Sequence, residues 1–138
     1  MKCVLVGGCF DLIHFGHIVF LEEAKKQGDY LVVALESDEN VKKYKGENRP
    51  IHTQKERAAM LRSLKMVDEV VELKQLNSDK EYFDFVKKVK PAVIAITKGD
   101  PQTENKEKQA GLIGAKVVVV TPRLEPHSTS RLVKILEL

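Results

Sequence analysis

The chain has 138 residues, with 23 lysines and arginines against 20 acidic residues and a formal charge of +3. Hydrophobic residues make up 43% and charged residues 31%, which excludes a disordered tail, a collagen-like repeat and a disulfide-knotted miniprotein. A single domain over residues 1–138 is expected, able to bury roughly 68–70% of its unfolded surface without a disulfide or structural metal. The charge is too mild and too evenly spread to argue for nucleic-acid binding.

In chain order, Cys3–Val6 reads as a buried strand ending at Gly7-Gly8. Phe15 to Lys26 follows as a helix, with Ile18, Val19 and Leu21 spaced for one face and Gly28 closing it. Tyr30–Leu35 is a second strand. Ser37 to Pro50 is polar, lysine-rich and too charged for core. Thr53 to Leu64 is a helix opened by Thr53-x-x-Glu56, a capping box that satisfies two backbone N–H groups. Val67–Leu73 is strand-like, Asp79–Lys90 helical, and Ala92–Ile96 an apolar run restarted by Pro91. A helix over Glu104–Ile113 ends at Gly114, Val117–Val120 is a last strand, and Ser128–Leu136 a last helix.

Five short apolar runs separated by helices predict βαβ units. Runs apolar on both faces predict a parallel sheet covered on both sides, so the expected fold is α/β and doubly wound. Ligands on such sheets bind beyond the carboxyl ends of the strands. Cys3 and Cys9, close together in the sequence of an extended segment, suggest no disulfide framework and read as reduced thiols. Asp11, His14 and His17 break the N-terminal apolar run, and no stretch is long and apolar enough to span a bilayer. A cytoplasmic protein with no membrane insertion is expected.

The first turn reads Gly7-Gly8-Cys9-Phe10-Asp11-Leu12-Ile13-His14-Phe15-Gly16-His17. It fits neither the dinucleotide fingerprint nor the Walker A loop. It does set glycine where backbone must approach a ligand, then His14 and His17 on one face at a helix start, with Gly16 leaving space between them. The helix N-terminus adds free N–H groups and positive potential, together a site for a polyphosphate. The same residues also fit a core histidine beside a surface one. A zinc pair lacks a third ligand at the usual spacing, and no metal ligands are identified.

Lys42 and Lys43 read best as a solvated face, whereas Lys45 beside Gly46 is a candidate to close over phosphates. Arg57 stands near a helix start, where a ligand phosphate or a surface salt bridge would account for it. Lys98-Gly99-Asp100 leaves the fourth strand, and Asp100 fits a ribose, base or magnesium contact and equally an ordinary turn. Ser128, Thr129 and Ser130 fit helix caps or phosphate donors, with Arg123 nearby.

These segments converge on one edge of the sheet, and together they are recognisable. Gly8 to His17, Gly28-Asp29, Lys45-Gly46 with Arg49-Pro50, Arg57, and Val67-Asp68-Glu69-Val70-Val71 resemble the cytidylyltransferase-like nucleotidyltransferases, whose hallmarks are an H-x-G-H motif and a late hydroxyl-rich segment. The Gly-Cys-Phe-Asp start, the Lys-Gly-x-x-Arg-Pro arm and Lys98-Gly99-Asp100 look most like the adenylyltransferase domain of ADP-heptose synthase. Pro122-Arg123-x-Glu125-x-x-Ser128-Thr129-Ser130 looks more like the glycerol-3-phosphate and phosphoethanolamine cytidylyltransferases, although Pro126-His127 replaces the usual Gly-Ile.

The resemblance implies a Rossmann-like sheet and transfer of a nucleotidyl group from ATP, or alternatively CTP, to a phosphorylated sugar or polyol. It implies Mg²⁺, pyrophosphate release and a homodimer. His14, His17, Lys45 and Arg123 would be catalytic; Gly8, Cys9, Phe10, Gly16, Arg57, Lys98, Gly99, Asp100, Ser128, Thr129 and Ser130 would join His14, His17 and Arg123 around the nucleotide. A non-catalytic nucleotide-binding module is the alternative of another class, and the intact cations argue against it. RNA binding lacks interleaved aromatics.

Overall fold

A computed structural model describes residues 1–121. The described elements run β1 (Cys3–Gly8), α1 (Phe15–Lys25), β2 (Tyr30–Leu35), α2 (Asp38–Lys45), α3 (Gln54–Arg62), β3 (Glu69–Glu72), α4 (Asp79–Val89), β4 (Val93–Thr97), α5 (Thr103–Ile113) and β5 (Lys116–Thr121). The strands form one parallel sheet in the order β3-β2-β1-β4-β5. This is the doubly wound, Rossmann-like α/β architecture expected, and the order reverses at β1.

The pleat divides the core in two, because successive strand residues face opposite sides. Val4, Val6, Leu31, Val33, Leu35, Val93 and Ala95 face α1 and α3, meeting Phe20, Leu21, Ala58 and Leu61. Leu5, Val32, Ala34, Ile94 and Ile96 face α4 and α5, meeting Val86 and Ala110. Leu5, Leu21, Leu31, Leu35, Leu61 and Ile96 are almost completely covered, each contributing about 1.5–3 kcal/mol of burial. Strands buried on both faces explain why their sequences read as continuous apolar runs.

Helix α3 begins as expected: Thr53 Oγ1 accepts from the Glu56 N–H at 3.2 Å, and the Glu56 carboxylate accepts from the Thr53 N–H at 2.9 Å. The segment from Ser37 to Pro50 differs from expectation. It contains α2, capped by Ser37 accepting from the Asn40 N–H, and Asn40, Val41 and Arg49 are buried. A helix of 8 residues needs only one inward apolar side chain, Val41, so its lysines mask its contribution to the core. The predicted helix Ser128–Leu136 lies outside the described residues.

Candidate functional site

The β1–β4 ladder joins only Val4 to Val93 and Leu5 to Ile94, although both strands run on, to Gly8 and Thr97. Beyond Leu5 they part, and a cleft of about 170 Å³ opens between them. Gly7, Gly8, Ala95, Ile96 and Thr97 of the two strands form its floor, and His17 and Phe20 from α1, with Asp100 and Lys106, also line it. It lies where strand order reverses, as expected for a ligand site on such a sheet. A Cβ on Gly7 would stand 2.8 Å from Tyr82 Oη, and one on Gly8 2.9 Å from the Phe10 ring. Both glycines are needed for packing around the floor.

The loop from Cys9 to His14 is held in a conformation that L-residues rarely adopt, with φ of 47° at Phe10 and 56° at Leu12. Such positions cost about 1–3 kcal/mol each and persist only when their surroundings fix them. Phe10 is buried. The Asp11 carboxylate accepts from Arg49 Nε at 2.7 Å and from the N–H groups of Ile51 and His52 at 2.7 and 3.0 Å. Burial disfavours the charge on Asp11, but these donors outweigh it and hold the carboxyl below the usual range.

The two histidines themselves make the N-terminal capping box of α1. His14 Nδ1 accepts from the Gly16 N–H at 3.1 Å, and His17 Nδ1 accepts from the His14 N–H at 3.2 Å. Their ring centroids are 4.0 Å apart at 31°. A ring nitrogen that accepts a hydrogen bond carries no proton, so each neutral ring has its proton on Nε2. The cap thus fixes the tautomer and turns both histidines into Nε2–H donors. Burial, then the nearby His14 and the Lys45 charge, lower the His17 pKa to about 3. Helix α1 has no acidic residue in its first turn, unlike α2, α3, α4 and α5. Its positive end is therefore left for an outside anion.

A model of the family described as cytidylyltransferase-like matches residues 5–135. The chain belongs to this cytidylyltransferase-like family. The bifunctional protein HldE of Helicobacter hepaticus is 40% identical over 133 residues, covering 96% of this chain and 26% of that protein. HldE of Wolinella succinogenes is 39% identical over 133 residues, covering 96% and 26%. The chain thus spans about a quarter of the length of these curated relatives. A lipopolysaccharide core biosynthesis protein from Thermoplasma volcanium superposes with a TM-score of 0.70 at 30% identity, covering 88% of this chain and 95% of that one. Pantoate-beta-alanine ligase from Francisella tularensis, at 17% identity, TM-score 0.64 and coverage of 96% and 65%, shares the fold.

As a cytidylyltransferase-like nucleotidyltransferase, the chain brings Gly8, Cys9, Phe10, His17 and Asp100 to one cleft, with His14 and Gly16 at the adjoining helix start. Lys45 ends α2 and is exposed; its charge reaches both His17 and Cys9. Burial pushes the Cys9 thiol up, so it remains protonated. Lys98 and Gly99 are exposed, with the Lys98 N–H bonded to the Thr121 carbonyl.

Arg57 is a correction. Expected near a ligand phosphate or on the surface, it is completely buried and satisfied by the protein. Its Nε donates to the His52 carbonyl, Nη1 to the carbonyls of Cys9 and Glu36, and Nη2 to Asp38 Oδ1 at 2.6 Å. It ties together the loop, β2's exit and α2, which supports the site without touching it. Arg123, Ser128, Thr129 and Ser130 lie outside the described residues.

Four contributors were not among the predicted site residues. Asp11 and Arg49 anchor the loop, Lys106 lines the cleft, and Tyr82 lies close to Gly7. Burial, with the Glu36 and Asp100 carboxylates adding to it, pushes the Tyr82 pKa up and keeps the hydroxyl an O–H donor. Asp11 and Arg49 carried a signal, as parts of the Gly-Cys-Phe-Asp start and the Lys-Gly-x-x-Arg-Pro arm; Lys106 and Tyr82 carried none. Among the described residues no three His, Cys, Asp or Glu side chains group as a metal would require. No described helix is long and apolar enough to cross a membrane.

The neutral His17 has a measurable consequence. Between the unfolded value of 6.5 and the folded value of about 3, the unfolded chain binds a proton that the folded chain does not. Stability is therefore lost as pH falls below 6.5, by at most about 1.4 kcal/mol per pH unit. Melting temperatures measured from pH 7 to pH 4.5 should fall less steeply in His17→Asn than in the parent. Parallel slopes would show that His17 titrates normally.

Proposed function

We propose that the chain transfers an adenylyl group from ATP to a phosphorylated sugar, in the manner of a sugar-1-phosphate adenylyltransferase. The two-histidine cap is the observation that carries this reading. An acceptor phosphate oxygen attacks the α-phosphorus, a new P–O bond forms, and the bond to the β-phosphate breaks as pyrophosphate leaves. No covalent enzyme intermediate is required, so catalysis is positioning plus stabilisation of charge on the phosphoryl oxygens. The Nε2–H donors of His14 and His17 serve that charge from the positive end of α1. Lys45 closes from α2, and Arg123 with Ser128 and Thr129 holds the leaving pyrophosphate. Mg²⁺ enters with the triphosphate as part of the substrate.

ATP is favoured by the resemblance of the first loop, the Lys45–Pro50 arm and Lys98-Gly99-Asp100 to the adenylyltransferase domain of ADP-heptose synthase. A sugar acceptor is supported by the same resemblance and by the likeness to a lipopolysaccharide core biosynthesis protein. The resemblance also supports a homodimer. The test is pyrophosphate release with Mg²⁺, offering ATP and CTP separately against sugar-1-phosphates and polyol phosphates, with His14→Ala as blank. Release with ATP and a sugar-1-phosphate is expected. Release only with CTP and a polyol phosphate would overturn both the nucleotide and the acceptor, and nucleotide binding without release would favour a non-catalytic module.

A further inference from the structure

The strand order offers the acceptor an approach that the cleft does not use. The cleft lies on the β4 side of Gly8 and Cys9, and β2 lies on their other side. Glu36 is the first residue beyond β2. Its N–H donates to the Gly8 carbonyl at 3.0 Å. Its carbonyl accepts at 3.0 Å from Arg57 Nη1, the nitrogen that also donates to the Cys9 carbonyl. Both backbone groups of Glu36 are therefore tied to the loop that leads to the histidines.

The side chain is held as well. Glu36 Oε2 accepts from Asn40 Nδ2 at 3.1 Å, and the buried Asn40 donates also to the Leu76 carbonyl. Among the described residues no cation pairs with Glu36, and Oε1 is left to accept. Helix α2 does not call for this carboxylate, because Ser37 caps it and Asp38 and Glu39 already sit in its first turn. Tyr44 stands one turn beyond Asn40 on the same side of α2, with 60% of its surface exposed. Burial, then the Glu36 charge, push the Tyr44 hydroxyl pKa up, so the carboxylate and the ring are close. Burial also dominates at the Cys9 thiol, where Lys45 and then Glu36 act. A cation and a fixed carboxylate thus flank Cys9, with an aromatic ring beside them. A phosphorylated sugar is the matching ligand: its phosphate suits Lys45, its hydroxyls a charged acceptor, and its C–H face a ring.

We propose that Glu36 and Tyr44 form the sugar subsite of the acceptor, with Glu36 Oε1 accepting from its hydroxyls and the Tyr44 ring covering its C–H face. This rests on the reading that the chain transfers an adenylyl group to a phosphorylated sugar, and it adds where that sugar lies. The acceptor then comes from the β2 side and the nucleotide from the β4 side, and their phosphates meet over the exit of β1.

The experiment is steady-state pyrophosphate release by the whole chain, using the sugar-1-phosphate of the panel above that turns over fastest. Acceptor is varied at saturating ATP with Mg²⁺, and ATP at saturating acceptor. Glu36→Gln keeps an oxygen for Asn40 and removes only the charge. It should raise KM for the sugar phosphate about tenfold, the loss expected when a charge-assisted hydrogen bond becomes a neutral one. Its kcat and its KM for ATP should stay within about twofold of the parent, because the contact is made equally before and during reaction. Tyr44→Ala should raise the same KM several-fold, and Tyr44→Phe, which keeps the ring, should restore it. A role confined to stability would lower the melting temperature and leave KM for the sugar phosphate unchanged. That result, or an equal rise in both KM values, overturns the proposal while adenylyl transfer stands. A parent chain that releases no pyrophosphate with any sugar phosphate overturns both readings.

Discussion

Turnover should fall by about 10²–10³ in His17→Asn, the loss typical of removing one donor to developing charge, with the fold intact. The choice of asparagine follows from the cap. Its side-chain oxygen can accept the His14 N–H that His17 Nδ1 now accepts at 3.2 Å, so the helix start survives. What disappears is the Nε2–H. His14→Asn makes the same separation at the N-cap, where asparagine is a preferred residue. An alanine would confound the two roles, because it also removes the acceptor. Each asparagine variant should lower kcat and kcat/KM together, the signature of an interaction made in the transition state. The double variant should lose less than the product, since the rings stand 4.0 Å apart and serve the same charge. Circular dichroism and melting establish the fold, and pyrophosphate release gives the rate. A His17→Asn chain within threefold of the parent would remove the cap from the mechanism.

Buried parallel strands announce themselves as apolar runs, so β1, β2, β4 and β5 were legible from the sequence. The Thr53-x-x-Glu56 box marked α3 for a local reason, since cap and partner are adjacent in the chain. The turn from Gly7 to His17 was legible for chemistry because its residues are special types at close spacing. Helix α2 was obscured because its inward contribution is a single valine among lysines. Arg57 misled because a cation near a helix start reads the same whether it meets a phosphate or, as here, carbonyls from distant segments. Lys106 was illegible for a different reason. Helix α5 carries Lys106 and Lys108 with equal claims, and only the folding of β4's exit brings one of them to Asp100. Long-range partners are set by the path of the chain, which local pattern does not encode.

Asp11→Asn should be the most damaging single change at the loop, costing about 3–5 kcal/mol, as when a buried ion pair loses one partner. In the parent, one carboxylate serves three donors, from Arg49, Ile51 and His52. An amide keeps one oxygen and turns an N–H₂ toward donors that need an acceptor. Arg49, with 5% of its side chain exposed, is then left with a buried and uncompensated charge. Arg49→Met should cost less, because Asp11 keeps its two backbone donors and the methionine fills the space. Melting should therefore fall on the order of 10–15 °C in Asp11→Asn, and less in Arg49→Met; the reverse order would show that the arginine and not the carboxylate organises the loop. The acid response separates this residue from His17. Because its folded pKa is lowered from 3.8, Asp11 contributes fully above that value, and its contribution is lost as pH falls through the lower folded one. The His17 contribution is already declining from 6.5. Activity should fail in Asp11→Asn even where the chain remains folded. Asp11 holds residues 49–52 against the loop that carries the strained Phe10 and Leu12. Released from that anchor, the loop relaxes, and the histidine donors lose the fixed positions on which charge stabilisation depends.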